Sequence, residues 1–535
     1  MGQHTNAPDS GRGTRQNLAD LVTRAAARHG ARCAFVAGDQ RPTWAEFEQA
    51  VSSRAATLAR LGMRPGERLA LMLANTLDFP LHYFAALRAG LVVVPVNTGY
   101  TVNELRHILS DSTAAALITD DGGASTVAGI QAELPQLRHV LAPAEMAEAE
   151  AEDDAGDDDG SSDDDGSSDD DGSSDDERVP ARGDDDLAVL IYTSGTSGRP
   201  KGAMLSHRAM LANLEQVGAI EPTPVTEHDV VLLVLPLFHI YGLNVGLGMQ
   251  VWAGATGILV ERFDPQGCLR TMAEERVSMV AGAPPMYVMW SRLDPQELRR
   301  GFTDVRIALS GAAPLAAGAL AAIHEVTEVP VYEGYGLTET APVLTSTLIS
   351  RRPKPGSIGQ PLSGVELALW DSDGQPVDPD EGEDTGQIAV RGPNVFTGYW
   401  PDGRDGPDAE GWLATGDIGF LDDDGDLHLI DRLKDLILVS GFNVYPQEVE
   451  AVLLTHPGVR DVAVVGAPDD LTGESVRAIV VPAPESPPGE TELIEHCQRS
   501  LARFKCPSAV RFVPDLPHSV TGKVSRARLR ELGLS

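Results

Sequence analysis

Cysteine is scarce in this chain: Cys33, Cys268, Cys497 and Cys506 are spread over 535 residues, with no C-x-x-C pair and no cysteine–histidine cluster at zinc spacing. A disulfide framework and a cysteine-built metal site are thereby excluded, and a reduced compartment is expected. Basic residues are also few. Lys+Arg total 42 against 79 Asp+Glu, a net charge of −37, which argues against nucleic acid or an anionic membrane as a general partner. No apolar run reaches the roughly 18 residues that a membrane-spanning helix needs. Residues Met1 to Gln16 are polar and carry neither an apolar signal core nor a myristoylation pattern. The expected location is therefore cytoplasmic.

Much of the acidity is local. Residues 153–177 hold 14 acidic side chains and no basic one, and Asp-Asp-Asp-Gly-Ser-Ser occurs three times between Asp157 and Ser174. Such a stretch has no apolar area to bury and repels itself, so about 144–186 is expected to be a disordered insert, and 1–16 a disordered tail. Elsewhere short apolar runs alternate with helical patterns. Arg68–Leu73, Leu91–Val96, Ala114–Thr119, Leu187–Tyr192, Val230–Leu235, Gly257–Val260, Val277–Ala281 and Val305–Leu309 read as strands, and the alternation predicts parallel sheets covered by helices. Between about 356 and 430 the runs shorten and glycine- and aspartate-rich turns separate them, which predicts a β subdomain. The last hundred residues return to mixed α and β, with a boundary near Asp431.

Six stretches carry the chemistry. Thr193-Ser194-Gly195-Thr196-Ser197-Gly198-Arg199-Pro200-Lys201-Gly202 follows an apolar strand and combines hydroxyls, glycines and two cations. It suits phosphate oxygens, since small residues let backbone N–H groups approach an anion and Lys201 supplies a point charge. It is not a Walker A loop, because Lys201 is followed by glycine; a mobile loop between strand and helix is the alternative. Tyr332-Glu333-Gly334-Tyr335-Gly336-Leu337-Thr338-Glu339-Thr340 packs aromatic, glycine, hydroxyl and carboxylate together. Pro236-Leu237-Phe238-His239-Ile240-Tyr241-Gly242 follows another apolar strand. Asp417, Asp431-Arg432 and Thr521-Gly522-Lys523 complete the set. Singly, each is as readily a packed turn, a satisfied core histidine or a solvated lysine.

Together and in this order, the stretches resemble the adenylate-forming superfamily of acyl-CoA synthetases, nonribosomal peptide adenylation domains and firefly luciferase. The wording Leu-Phe-His-Ile-Tyr-Gly and Ser-Gly-Ala-Ala-Pro-Leu is most similar to fatty acyl-CoA and 4-coumarate-CoA ligases. The resemblance spans about 18–532 apart from the acidic insert. It implies an α/β fold: a large N-terminal domain (17–431) of two βα-layered subdomains plus a β subdomain, and a small mobile α+β C-terminal domain (432–535) hinged near Lys434. It also implies ATP and Mg²⁺, with coenzyme A as co-substrate.

By the same resemblance, Thr193, Ser194, Gly195, Thr196, Ser197, Gly198 and Lys201 hold the β- and γ-phosphates. Gly311, Ala312, Ala313, Glu333, Gly334, Tyr335 and Gly336 belong to the nucleotide site. Thr338 contacts the α-phosphate, Glu339 holds Mg²⁺, Asp417 accepts from the ribose hydroxyls with Arg432 beside it, and Lys523 reaches the attacking carboxylate and α-phosphate. His239, also counted with Thr338, Glu339 and Lys523 as catalytic, forms the acyl pocket with Tyr241, Val245, Gly311 and Gly334; Gly242, Val245, Gly246 and Gly248 are read as leaving room along its wall. Ser440 and Gly441 border the coenzyme A channel. Leu438, where firefly luciferase has a second lysine, argues against an oxygenating reaction, and Pro517-His518 departs from the basic residue often found there. The activity implied is ATP-dependent ligation of a carboxylic acid, a medium- or long-chain fatty acid, to coenzyme A through an acyl-adenylate. The alternatives are an acyl-AMP ligase loading a separate carrier protein, an aryl-CoA ligase, or a non-enzymatic acidic scaffold.

Overall fold

The computed structural model describes residues 16–147, 183–193, 200–315, 317–350, 354, 356–371, 373–377, 385–432, 435–439, 442–469, 472–518, 524 and 529. The first apolar runs form β1 (Phe35–Val36), β2 (Arg68–Met72), β3 (Val92–Pro95), β4 (Ala116–Thr119), β5 (His139–Leu141), β6 (Leu187–Thr193) and β7 (Lys201–Ser206). Next come β8 (Val230–Leu233), β9 (Thr256–Leu259), β10 (Met279–Gly282), β11 (Ile307–Ser310), β12 (Val331–Gly336), β13 (Val343–Ser346) and β14 (Gln360–Pro361). They make two sheets, in the orders β5-β4-β2-β3-β6-β7 and β1-β9-β8-β10-β11-β12-β13-β14. The centres are parallel, β2 pairing with β3 and β4, and β10 with β8 and β11. Every residue of β3, β4 and β10 is buried, because helices cover both faces of such sheets.

Two early helices start where hydroxyl residues cap them. Thr43 Oγ1 accepts from Glu46 N while Glu46 Oε2 accepts from Thr43 N, and Thr101 and Glu104 repeat the arrangement. The two sheets share one core, which takes in Leu69 and Val93 from the first, Val231 and Ala308 from the second, and Ile388 and Val390 from the β subdomain. That subdomain is the antiparallel sheet β15 (Glu366–Trp370), β16 (Gly386–Arg391), β17 (Leu413–Leu421) and β18 (Leu427–Arg432).

Beyond it, β19 (Ile437–Val439), β20 (Phe442–Val444), β21 (Val459–Asp469), β22 (Gly473–Pro482) and β23 (Ala509–Phe512) form a separate sheet with the helices Pro446–Leu454 and Glu490–Gln498. This last unit has cores of its own, around Val449, Val464 and Leu493 on one face and Val465 and Ile479 on the other. Among the described residues no helix is long and apolar enough to cross a membrane.

The margins of the acidic insert differ from expectation. Residues 143–147 are helical, with Met146 buried, and 183–186 form a turn closed by Asp186 N to Gly183 O at 3.0 Å. Apolar Met146 and the turn at Gly183, whose N donates to Asp186 Oδ2 at 2.6 Å, give both ends something to bury or to hydrogen-bond, so the ordered fold extends further into the insert than its composition suggests. Its interior, and the tail expected over 1–16 apart from Gln16, lie outside the described residues.

Candidate active site

The phosphate-type stretch is a hairpin. Thr193 ends β6 opposite Lys201, which opens β7, and Tyr192 pairs with Gly202 in the same antiparallel ladder. The alternative of a loop passing from strand to helix is corrected: the helix begins only at His207, where Ser206 Oγ accepts from Ala209 N at 3.1 Å. A Cβ on Gly202 would stand 2.8 Å from the Leu190 side chain, so glycine is what lets the two strands close. Ser194, Gly195, Thr196, Ser197 and Gly198 lie outside the described residues. The Lys201 ammonium lies 2.7 Å from Asp405 Oδ2 and 5.1 Å from the centre of the Tyr399 ring.

The second motif becomes β12 and the turn that follows it. β12 runs parallel to β11 and antiparallel to β13, with a bulge between Tyr335 and Gly336. Gly336 is required by close approach, since a Cβ there would lie 1.7 Å from the Pro342 carbonyl oxygen. Thr338–Thr340 form a single 3₁₀ turn. Neighbouring groups hold it in place: Thr340 Oγ1 donates to Pro342 O at 2.6 Å, Asn394 Nδ2 to Thr340 O at 2.8 Å and Asn244 Nδ2 to Ala341 O at 2.7 Å. Two separate elements, at Asn244 and Asn394, thus converge on the turn that carries Thr338 and Glu339. The Glu339 carboxylate accepts from the Tyr399 hydroxyl.

Tyr335 reaches the β subdomain. Its hydroxyl donates to Asp417 Oδ2 at 2.7 Å, both side chains are buried, and Asp417 faces Arg432 across β17 and β18. A buried carboxylate needs such donors, and this one joins the second sheet to the third.

At the end of β11, Ala312 adopts a left-handed φ of 71°, and the place of a Gly311 Cβ lies 3.1 Å from the Tyr241 ring. Glu333, opposite Ser310, accepts from Leu315 N at 3.1 Å, and burial raises its carboxyl pKa above the ordinary value. His239 Nδ1 accepts from Tyr241 N at 3.2 Å. Tyr241–Gly248 then form a π-helix, buried throughout, with Val245 on it. Burial pushes the Tyr241 phenol well above its usual range, so it stays neutral.

The glycines of this wall do not leave the expected room. A Cβ on Gly242 would lie 2.3 Å from Pro236 O and one on Gly248 2.6 Å from Asn244 Oδ1, while Gly246 has ordinary contact with Leu233 at 3.4 Å. Two of the three are glycine because backbone and amide groups already fill the space. Gly334 is similarly close, 3.3 Å from Thr345 O.

A hydroxyl-rich hairpin with a lysine, a held carboxylate, a buried carboxylate–phenol pair and an apolar wall suit a polyphosphate nucleotide beside an apolar acid. Comparison with known proteins agrees at the level of the family. Residues 22–400 match the AMP-binding enzyme family, and residues 448–523 match the AMP-binding enzyme C-terminal domain. This chain belongs to the AMP-binding enzyme family. The AMP-binding enzyme is 35% identical over 542 aligned residues to a long-chain-fatty-acid–CoA ligase of Escherichia coli O157:H7, covering 96% of this chain and 94% of that protein. It is 37% identical over 493 residues to a feruloyl-CoA synthase of an Amycolatopsis species, covering 91% and 93%. Among solved structures it resembles ATP-bound MatB from Rhodopseudomonas palustris, with a TM-score of 0.85 and 32% identity over 97% of this chain and 99% of that one.

In this AMP-binding enzyme the described candidate residues fall into three groups. Thr193, Lys201 and Glu339 meet around Tyr399; Tyr335 meets Asp417; Gly311, Tyr241 and Glu333 surround the turn after β11. Lys434, Ser440, Gly441 and Lys523 lie outside the described residues, and for Arg432 only the strand position is described. Sequence reading missed Tyr399 and Asp405. The signal was faint: an aromatic after glycine in Thr397-Gly398-Tyr399-Trp400, and one acidic residue among many.

Proposed function

We propose that this enzyme activates an apolar carboxylic acid, a medium- or long-chain fatty acid, as its acyl-adenylate with ATP and passes the acyl group to coenzyme A, releasing AMP and pyrophosphate. The observation that carries the choice of acid is the buried π-helical wall Tyr241–Gly248 beside Gly311, which has no charged side chain. An amino acid or dicarboxylate would need a buried partner for its second charge.

In this reading the hairpin at Thr193 and Lys201 grips the β- and γ-phosphates, and Asp417, oriented by Tyr335, accepts from the ribose. The acid's carboxylate oxygen bonds to the α-phosphorus while the bond to pyrophosphate breaks. Thr338 and Lys523 stabilise the charge that builds on the phosphoryl oxygens. The coenzyme A thiol then attacks the acyl carbon along the channel bordered by Ser440 and Gly441, and AMP leaves.

Among the described residues no three His, Cys, Asp or Glu side chains cluster into a ready-made metal cage. A single held carboxylate fits Mg²⁺, which is commonly bound by one or two carboxylates plus substrate phosphates. Glu339 would hold it, and bound there it would neutralise charge on the phosphate oxygens.

The test is a pyrophosphate-release screen over fatty, hydroxycinnamic and amino acids, with coenzyme A or an acyl carrier protein as acceptor. Turnover with fatty acids and coenzyme A is expected. Because a relative is a feruloyl-CoA synthase, an aryl acid is the second reading, and preference for hydroxycinnamates would select it. Transfer to the carrier alone would show a carrier-loading enzyme.

A second expectation concerns the nucleotide. Asp417→Asn removes a charged acceptor, a loss of about 1.5–3 kcal/mol, so the KM for ATP should rise about 10- to 100-fold. Initial rates against ATP concentration check this, and an unchanged KM would remove Asp417 from the ribose site.

A further inference from the structure

The segment from Phe396 to Asp405 belongs to none of the stretches that first pointed to a nucleotide site, yet it ties two of them together. Phe396 N donates to Glu339 O at 2.8 Å, Thr397 N to Met204 O at 3.1 Å, and Trp400 N to Gly202 O at 2.8 Å. The segment then folds back, with Tyr399 N donating to Arg404 O at 3.0 Å and Gly403 N to Tyr399 O at 2.8 Å. It therefore lies along the edge of β7 and touches the Glu339 turn with the same few residues.

Tyr399 stands where these contacts meet. Its hydroxyl donates to Glu339 Oε1 and is within hydrogen-bonding reach of the Thr193 side chain. Its ring packs edge-on against Phe396, with centres 5.1 Å apart, and Lys201 lies over the ring while bonded to Asp405. This side chain thus contacts both the hairpin's residues and the carboxylate of the turn.

We propose that Tyr399 is a positioning residue for the metal–phosphate half of the site: its hydroxyl fixes the Glu339 carboxylate for a divalent cation, and its ring steadies Lys201 on the phosphate side. This rests on reading Glu339 as the metal carboxylate. Groups that orient a metal-binding side chain from behind typically change metal affinity about 10- to 100-fold when removed. A purely packing role would instead loosen the whole nucleotide site.

The test uses the full chain, Mn²⁺ as probe and an ATP analogue with a methylene bridge between the α- and β-phosphorus. Bound Mn²⁺ is read by electron paramagnetic resonance, and AMP affinity is measured separately by calorimetry without metal. Tyr399→Phe keeps the ring and loses the hydroxyl. It should bind Mn²⁺ about 10- to 100-fold more weakly in the presence of the analogue, with AMP affinity unchanged. Glu339→Gln should weaken Mn²⁺ at least as much. Wild-type Mn²⁺ affinity in Tyr399→Phe, or a matching fall in AMP affinity, would overturn the proposal. Wild-type affinity in Glu339→Gln would show that the metal reading itself has failed, and the role of Tyr399 with it.

Discussion

An enzyme carrying Lys523→Ala is expected to lose adenylate formation by about two to three orders of magnitude, yet to convert a supplied acyl-adenylate to acyl-CoA at close to the parent rate. The reason is the order of events. Negative charge builds on the α-phosphoryl oxygens only while the carboxylate displaces pyrophosphate, and a lysine aimed there acts in that step alone. Attack by the thiol occurs at the acyl carbon and needs room for the pantetheine arm.

Two arrangements of the unit expected to carry Lys523 are what the resemblance implies. Beyond Ile437 the chain has its own sheet and cores, so turning it about a hinge near Lys434 would leave apolar packing undisturbed. Asp431 Oδ2 accepts from Gln447 N at 2.9 Å, a contact across the junction that exchanges cheaply with water. Pyrophosphate release measures the first half-reaction, and single-turnover thiolysis of the adenylate measures the second. Equal losses in both would remove the two-arrangement account.

The other large effect is expected from a single methyl group. Gly336→Ala places a carbon 1.7 Å from the Pro342 oxygen and 2.6 Å from its carbonyl carbon, and both neighbours are backbone. No rotamer change relieves such a clash; the bulge after Tyr335 and the turn through Glu339 must shift. Overpacking of this kind commonly costs about 1–3 kcal/mol, and a displacement near 1 Å at a reacting centre can cost about 100-fold in rate. The variant should therefore lose kcat by about 100-fold or more and melt at a lower temperature. Gly318→Ala is the control, because nothing lies within 4 Å of its missing Cβ. Parent-like activity in Gly336→Ala would show that the turn tolerates movement.

The layered sheets were legible because buried parallel strands must be continuous apolar runs: Val92–Pro95 and Ala116–Thr119 stand where their composition placed them. The candidate site was flagged by its motifs, since Tyr335, Glu339 and Asp417 set phenol and carboxylate groups among glycines and hydroxyls. What sequence did not disclose depends on contacts between distant residues. The hairpin form of Thr193–Lys201 follows from strand pairing with no local signal. The glycines at 242 and 248 looked like open space, but Pro236 and Asn244 fill it. Tyr399 lies 60 residues from the carboxylate it orients, and no spacing rule links them.

The π-helix at the acyl wall sets how that wall can vary. Met249 N donates to Asn244 O, five residues back, so the coil holds more residues per turn than an α-helix. Deleting one residue inside it would restore α spacing, close the wide turn and remove one side chain from the wall. A single-codon insertion or deletion would thus reshape the cavity floor at a stroke, with no substitution of any lining residue. Among relatives that take different acids, gaps in this short segment are as informative as the letters around them.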